Sequence, residues 1–69
     1  MQTNYRALLA AAQRPGWRWS PWRGVLEHEG LHVFVSSWEL EKRGVKNDED
    51  VEAVLRDVEW QVRNQQRRA

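Results

Sequence analysis

Arg56, Trp60, Arg63 and Arg67 carry the chemistry most open to a partner in this 69-residue chain. At about 100° per residue they share one side of a helix, nearly opposite an apolar stripe of Val51, Val54, Leu55, Val58 and Val62. An indole between guanidinium groups can stack on a nucleic-acid base, help grip a phosphate, or anchor a protein partner. The competing arrangement is internal. Trp60 would then lie across the arginine stems beside it, or against the N-terminal segment.

A second cluster runs from Arg14 to Arg23, RPGWRWSPWR. Trp17, Trp19 and Trp22 stand there among Arg14, Arg18 and Arg23 with no acid. Trp17, Arg18, Trp22 and Arg23 are the binding candidates of this segment, by stacking plus backbone charge or by meeting an acidic protein surface. The alternative uses the rings to close one side of the core, because a domain this small needs apolar area. On size alone, about three of the five Trp belong inside.

Other chemistry is thin. His28 and His32 have a metal-like spacing, but on a hairpin they point to opposite faces, and they read as surface residues or as a cross-strand Glu27–His32 pair. No metal site and no cofactor is expected. Ser20, Ser36 and Ser37 lie outside any Gly-x-Ser-x-Gly elbow, and there is neither a P-loop nor a Gly-x-Gly-x-x-Gly turn. Without cysteine there is no thiol nucleophile, disulfide or thiolate zinc site. The chain reads as a non-enzyme.

The net charge of +1 hides a segregation. Residues 1–23 carry +4, residues 24–60 carry −6 and residues 61–69 carry +3. Such patches steer partners even near neutrality. No apolar run approaches the roughly 20 residues that span a bilayer, and no signal-peptide pattern opens the chain. A cytoplasmic location is the default expectation.

These residues need elements to position them. TNYRALLAAAQR, residues 3–14, reads as a helix with Thr3 or Asn4 as N-cap and Tyr5, Leu8, Leu9 and Ala12 in one stripe, ended by Pro15-Gly16. Trp17 and Trp19 alternate with Arg18, so residues 17–23 suggest a short strand, and Pro21 confines it to an edge or an extended loop. Residues 24–40 read as a hairpin about a two-residue Glu29-Gly30 turn, pairing His28 with Leu31 and Leu26 with Val33. That register puts Leu26, Leu31, Val33 and Val35 on one face and Val25, Phe34 and Trp38 on the other. Residues 41–46 form a polar connector. Residues 47–67 are the main helix, capped at Asn47 with Asp50 as partner, acids at its start and arginines at its end.

The expectation is one α+β domain over residues 1–69, of αββα or αβββα order. A small antiparallel sheet, a hairpin with a possible short third strand, carries the N-terminal and the longer C-terminal helix on one face. Its core would hold Leu8, Leu9, Leu26, Val33, Val35, Val51, Leu55 and Val58. In outline this is similar to the double-stranded-RNA-binding domain, over the whole chain but as topology only. That family begins its second helix with lysines that grip phosphate across a groove. Here Asn47-Asp48-Glu49-Asp50 stands in that place, so the RNA-binding mode is not implied and no family is assigned.

Function is then expected to be protein recognition without catalysis. Small binders of this make-up are common among phage and mobile-element proteins, inhibitors of bacterial defence nuclease complexes among them, which suggests an inhibitor or adaptor of a larger machine. The alternatives are nucleic-acid binding through Arg/Trp stacking, and a homodimerising structural domain held by the Trp60 face or an open hairpin edge. Monomer and homodimer both stay open.

Overall fold

The structure, a computed structural model, describes residues 3–66. Its elements run α1 (Tyr5–Ala11), β1 (Trp17–Ser20), β2 (Val25–His28), β3 (Val33–Ser36), α2 (Ser37–Arg43) and α3 (Asp48–Gln66). The strands form one antiparallel sheet in the order β1-β2-β3. The fold is α+β with a small sheet.

Each helix starts where a side chain satisfies the free N–H groups of its first turn. Asn4 accepts from the Ala7 N–H at 3.1 Å, which settles the N-cap of α1 in its favour over Thr3. Asn47 accepts from the Asp50 N–H at 3.0 Å, while the Asp50 carboxylate reaches back to the Lys46 N–H at 3.0 Å. Helix α1 stops at Ala11, three residues before the expected end.

Alternation sets the sheet faces. Trp17 pairs with His28 and Trp19 with Leu26; Leu26 pairs with Val35 and His28 with Val33. These side chains share the face that the helices cover. Leu26 and Val35 join Leu9, Leu40, Val45, Val51, Val54 and Leu55 in one buried cluster, with Tyr5, Leu8, Trp17, Trp19 and Val58 packed around it. Of the expected core, Leu8, Val33 and Val58 are only half-buried.

Three expectations need correction. The hairpin register is shifted by two residues, so the loop between β2 and β3 has four residues rather than two, and His32 sits in it at a φ of +53°. A two-residue shift preserves the faces, which is why Leu26, Val33 and Val35 stay on one face and Val25 and Phe34 on the other, while Leu31 falls in the loop. The shift also removes the Glu27–His32 pair: Glu27 opposes Phe34 and binds Arg23 instead. Finally, β3 ends at Ser36. Residues 37–43 are a helix rather than the end of a strand and a connector, so Trp38 lies on α2.

The reason for α2 is local. Ser36 caps it by accepting from the Glu39 N–H at 3.4 Å, Lys42 and Arg43 occupy its last turn, and Gly44 closes it at a φ of +72°. The Gly44 and Val45 N–H groups then return to carbonyls of the last turn, as left-handed helix caps do. Leu40 and Val45, absent from the expected core, are buried through this motif. Arg43 ties α2 to α3, bonding Glu39 and Asp57 at 2.8 Å each. Leu40→Ala is expected to lower unfolding free energy by about 2–5 kcal/mol, because Leu40 is fully enclosed. Urea unfolding checks this, and a loss under about 1 kcal/mol would mean that α2 is not part of the core.

Candidate functional site: an arginine-flanked indole on the last helix

Helix α3 buries Val51, Val54, Leu55 and Glu59 and turns its other side outward. On that outer side Trp60 is 65 % exposed. It lies in an open groove of about 430 Å³ lined by Arg14, Arg56, Glu59, Trp60, Arg63 and Asn64. The structure therefore brings Arg56, Trp60 and Arg63 together as their spacing implies. It adds Arg14 from the α1–β1 connection. Arg67 lies outside the described residues.

The floor of the groove is Glu59, which sequence reasoning missed. It stands four residues after Leu55 and eight after Val51, on the apolar stripe, and is only 7 % exposed. An acid on an apolar stripe needs a partner, and that is the signal that could have found it. Its Oε2 accepts from Arg14 Nε, while Oε1 lies 3.8 Å from Arg63 Nη2 and 4.0 Å from His28 Nε2. Arg14 also reaches Glu52 at 3.6 Å. Burial, the largest single effect, pushes the Glu59 pKa up; the hydrogen bonds from Arg14 and the Trp17 N–H, with the charges of Arg14 and Arg63, together outweigh it and hold the carboxyl below its usual range. The Trp17 contact is loose. Its Nε1 falls outside full hydrogen-bond geometry and is, among the described residues, the one buried side-chain polar atom without such a bond.

His28 is a core residue, correcting the expectation of a surface position. Its Nδ1 accepts from the Leu31 N–H at 3.1 Å, so the neutral ring carries its proton on Nε2, toward Glu59. The ring meets Trp17 edge-on, with centroids 5.2 Å apart and planes at 86°. Among the described residues no group of three or more His, Cys, Asp or Glu is placed to hold a metal ion.

Because the folded pKa of Glu59 is lowered, its contribution to stability is complete above the ordinary Glu range. That contribution fades as pH falls through that range and is lost once pH passes the folded value. Thermal unfolding from neutral to strongly acidic pH is expected to show this loss, and Glu59→Gln to show less of it. Equal acid slopes in the two proteins would contradict the assignment.

The Arg14–Arg23 segment divides. Trp17 and Trp19 pack half-buried against the core, whereas Trp22 is 97 % exposed at the β1–β2 turn. Arg18 bonds Glu29 at 3.0 Å, and Arg23 bonds Glu27 while lying 5.5 Å from the Phe34 ring centroid. Phe34 itself, on the sheet face away from the helices, is exposed. Trp38 is exposed on α2 with Lys42 Nζ 5.1 Å from its ring centroid. Two indoles, not three, thus serve the interior. No described helix is long and apolar enough to cross a membrane. Compared with known proteins, the chain matches no family model, no curated protein and no solved structure.

Proposed function

We propose that this chain is a non-catalytic protein-recognition module whose main contact is the Trp60 groove on α3, acting as an inhibitor or adaptor of a larger assembly. The carrying observation is that Trp22, Trp38 and Trp60 are all exposed on a domain short of apolar bulk. Tryptophan kept outside a small core is costly in solubility and is typical of binding hot spots.

Charge pairing favours protein over nucleic acid. Arg14, Arg18, Arg23 and Arg43 each bind an acid of their own chain. A guanidinium already facing a carboxylate adds little to the counterion release that drives polyanion binding. The acids Asp48, Glu49 and Asp50 at the start of α3 oppose phosphate further.

Trp60→Ala tests the reading. Trp60 is mostly exposed, so unfolding free energy is expected to change by no more than about 0.5 kcal/mol. Affinity for a partner captured from host lysate by the parent chain is expected to fall by about 30-fold or more, the scale of a hot spot. A gel-shift titration with single-stranded DNA is expected to give no complex at low salt. Salt-sensitive binding there would shift the reading to nucleic acid.

A further inference from the structure

We propose that the α3 groove receives an acidic peptide segment with an apolar or aromatic side chain between its carboxylates. The proposal rests on the recognition reading above and names the partner chemistry of that same site.

Charge favours such a segment. The groove gathers Arg14, Arg56 and Arg63 around one lining acid, Glu59, with Glu52 beside it as a second partner of Arg14, three positive charges against two negative. Glu59 is not free to serve a ligand or repel one. It is 7 % exposed, with Oε2 on Arg14 and Oε1 turned toward Arg63 and His28. From below it holds Arg14, whose Nη1 also reaches Glu52 at 3.6 Å, and leaves most donors of the exposed Arg63 unspent. A guanidinium has five N–H donors, and Arg63 meets Glu59 only at 3.8 Å. Arg56 has no carboxylate partner among the described residues. The groove therefore keeps an uncompensated positive charge.

Spacing favours it too. Arg56, Trp60 and Arg63 stand at i, i+4 and i+7 on α3, which sets the two arginine Cα atoms about 10 Å apart along the helix axis with Trp60 between them. Two carboxylates at that separation would each take a planar guanidinium, in two-pronged fashion where geometry allows. The side chain between them would lie on the Trp60 ring. A phosphodiester strand fits less well. It presents a long row of charges to a groove in which, among the described residues, Arg56 alone lacks a carboxylate partner, and toward the start of α3 it would meet Asp48, Glu49 and Asp50.

The test is a titration of the ¹⁵N-labelled chain with three probes: Ac-Glu-Glu-Phe-Glu-Glu-NH₂, Ac-Lys-Lys-Phe-Lys-Lys-NH₂ and an eight-nucleotide oligo(dT). The Trp60 indole signal is assigned from Trp60→Phe. The acidic peptide is expected to move the Trp60 indole and the Arg56 and Arg63 Nε signals. Arg56→Glu with Arg63→Glu is expected to weaken that binding at least tenfold, while the chain keeps its dispersed spectrum. The lysine peptide and the oligonucleotide are expected to leave these signals in place. An acidic peptide that leaves them unmoved at millimolar concentration overturns the proposal. So does an equal response to the lysine peptide or to the oligonucleotide. An equal response to the lysine peptide would still leave a Trp60 recognition face standing. Failure of the recognition reading has a different signature: full retention of the captured partner by Trp60→Ala.

Discussion

Arg14→Ala is expected to destabilise the fold by about 3 kcal/mol, more than Glu59→Leu does, although both remove the same ion pair. The asymmetry follows from burial. Without Arg14 the Glu59 carboxylate stays enclosed, its side chain 9 % exposed, with only the loose Trp17 N–H and the more distant His28 and Arg63 to answer it. Without Glu59 the Arg14 side chain, 28 % exposed, can swing its guanidinium into water. An apolar side chain then fills the stripe beside Leu55. The double variant is expected to be more stable than Arg14→Ala alone, because it leaves no uncompensated buried charge. Chemical unfolding of the four proteins forms the cycle. Equal losses in the two single variants would mean that the carboxylate is not buried as described.

Gly16→Ala is expected to cost a similar amount by another route. Gly16 has a φ of +91°, where a side chain adds strain of about 1–3 kcal/mol. An added Cβ would fall 2.4 Å from His28 Nε2, closer than such atoms approach. The ring would have to leave its place between Trp17 and Glu59 and give up the Leu31 N–H. The expected total is about 3 kcal/mol, or a melting temperature lower by about 15 °C for a chain of this size. A melting point within about 3 °C of the parent would contradict the close packing of this turn.

Much of the architecture is readable in the sequence. The Asn4 and Asn47 caps, the Tyr5–Ala12 and Val51–Val62 stripes and the alternating Trp17 and Trp19 each state their element locally, and the fold agrees with them. Helix α2 was equally stated, by Ser36 with Glu39 three residues on, basic residues in the last turn and Gly44 after them. It was hidden because the period-two pattern of Val33 and Val35 runs straight into this segment. A period-two reading then absorbs Trp38 into the strand. The hairpin register was not legible for a different reason. Glu29-Gly30 suits a two-residue turn, but Gly30 carries no positive φ; His32 does, within a four-residue loop.

The outer half of the candidate site was legible and the inner half was not. Helical spacing alone joins Arg56, Trp60 and Arg63. Nothing local joins Arg14 to Glu59 across 45 positions, nor marks His28 as interior. Those contacts come from β1 pairing with β2 beneath α3, and tertiary packing of that kind leaves no periodic trace. Two interior indoles suffice instead of the expected three for a related reason. Core volume is filled by Leu40 and Val45, which lie outside the expected core, together with the stripe residue Val54, so fewer rings are needed inside.

The proposed function makes Trp60 a contact surface rather than a structural ring. The direct measurement is quantitative capture of the partner by the parent chain and by Trp60→Ala at matched concentration, with thermal melts of both. The account predicts matching melts and a partner affinity lower by about 30-fold in the variant. Undiminished capture by Trp60→Ala, or a melt that collapses with the indole removed, would contradict it.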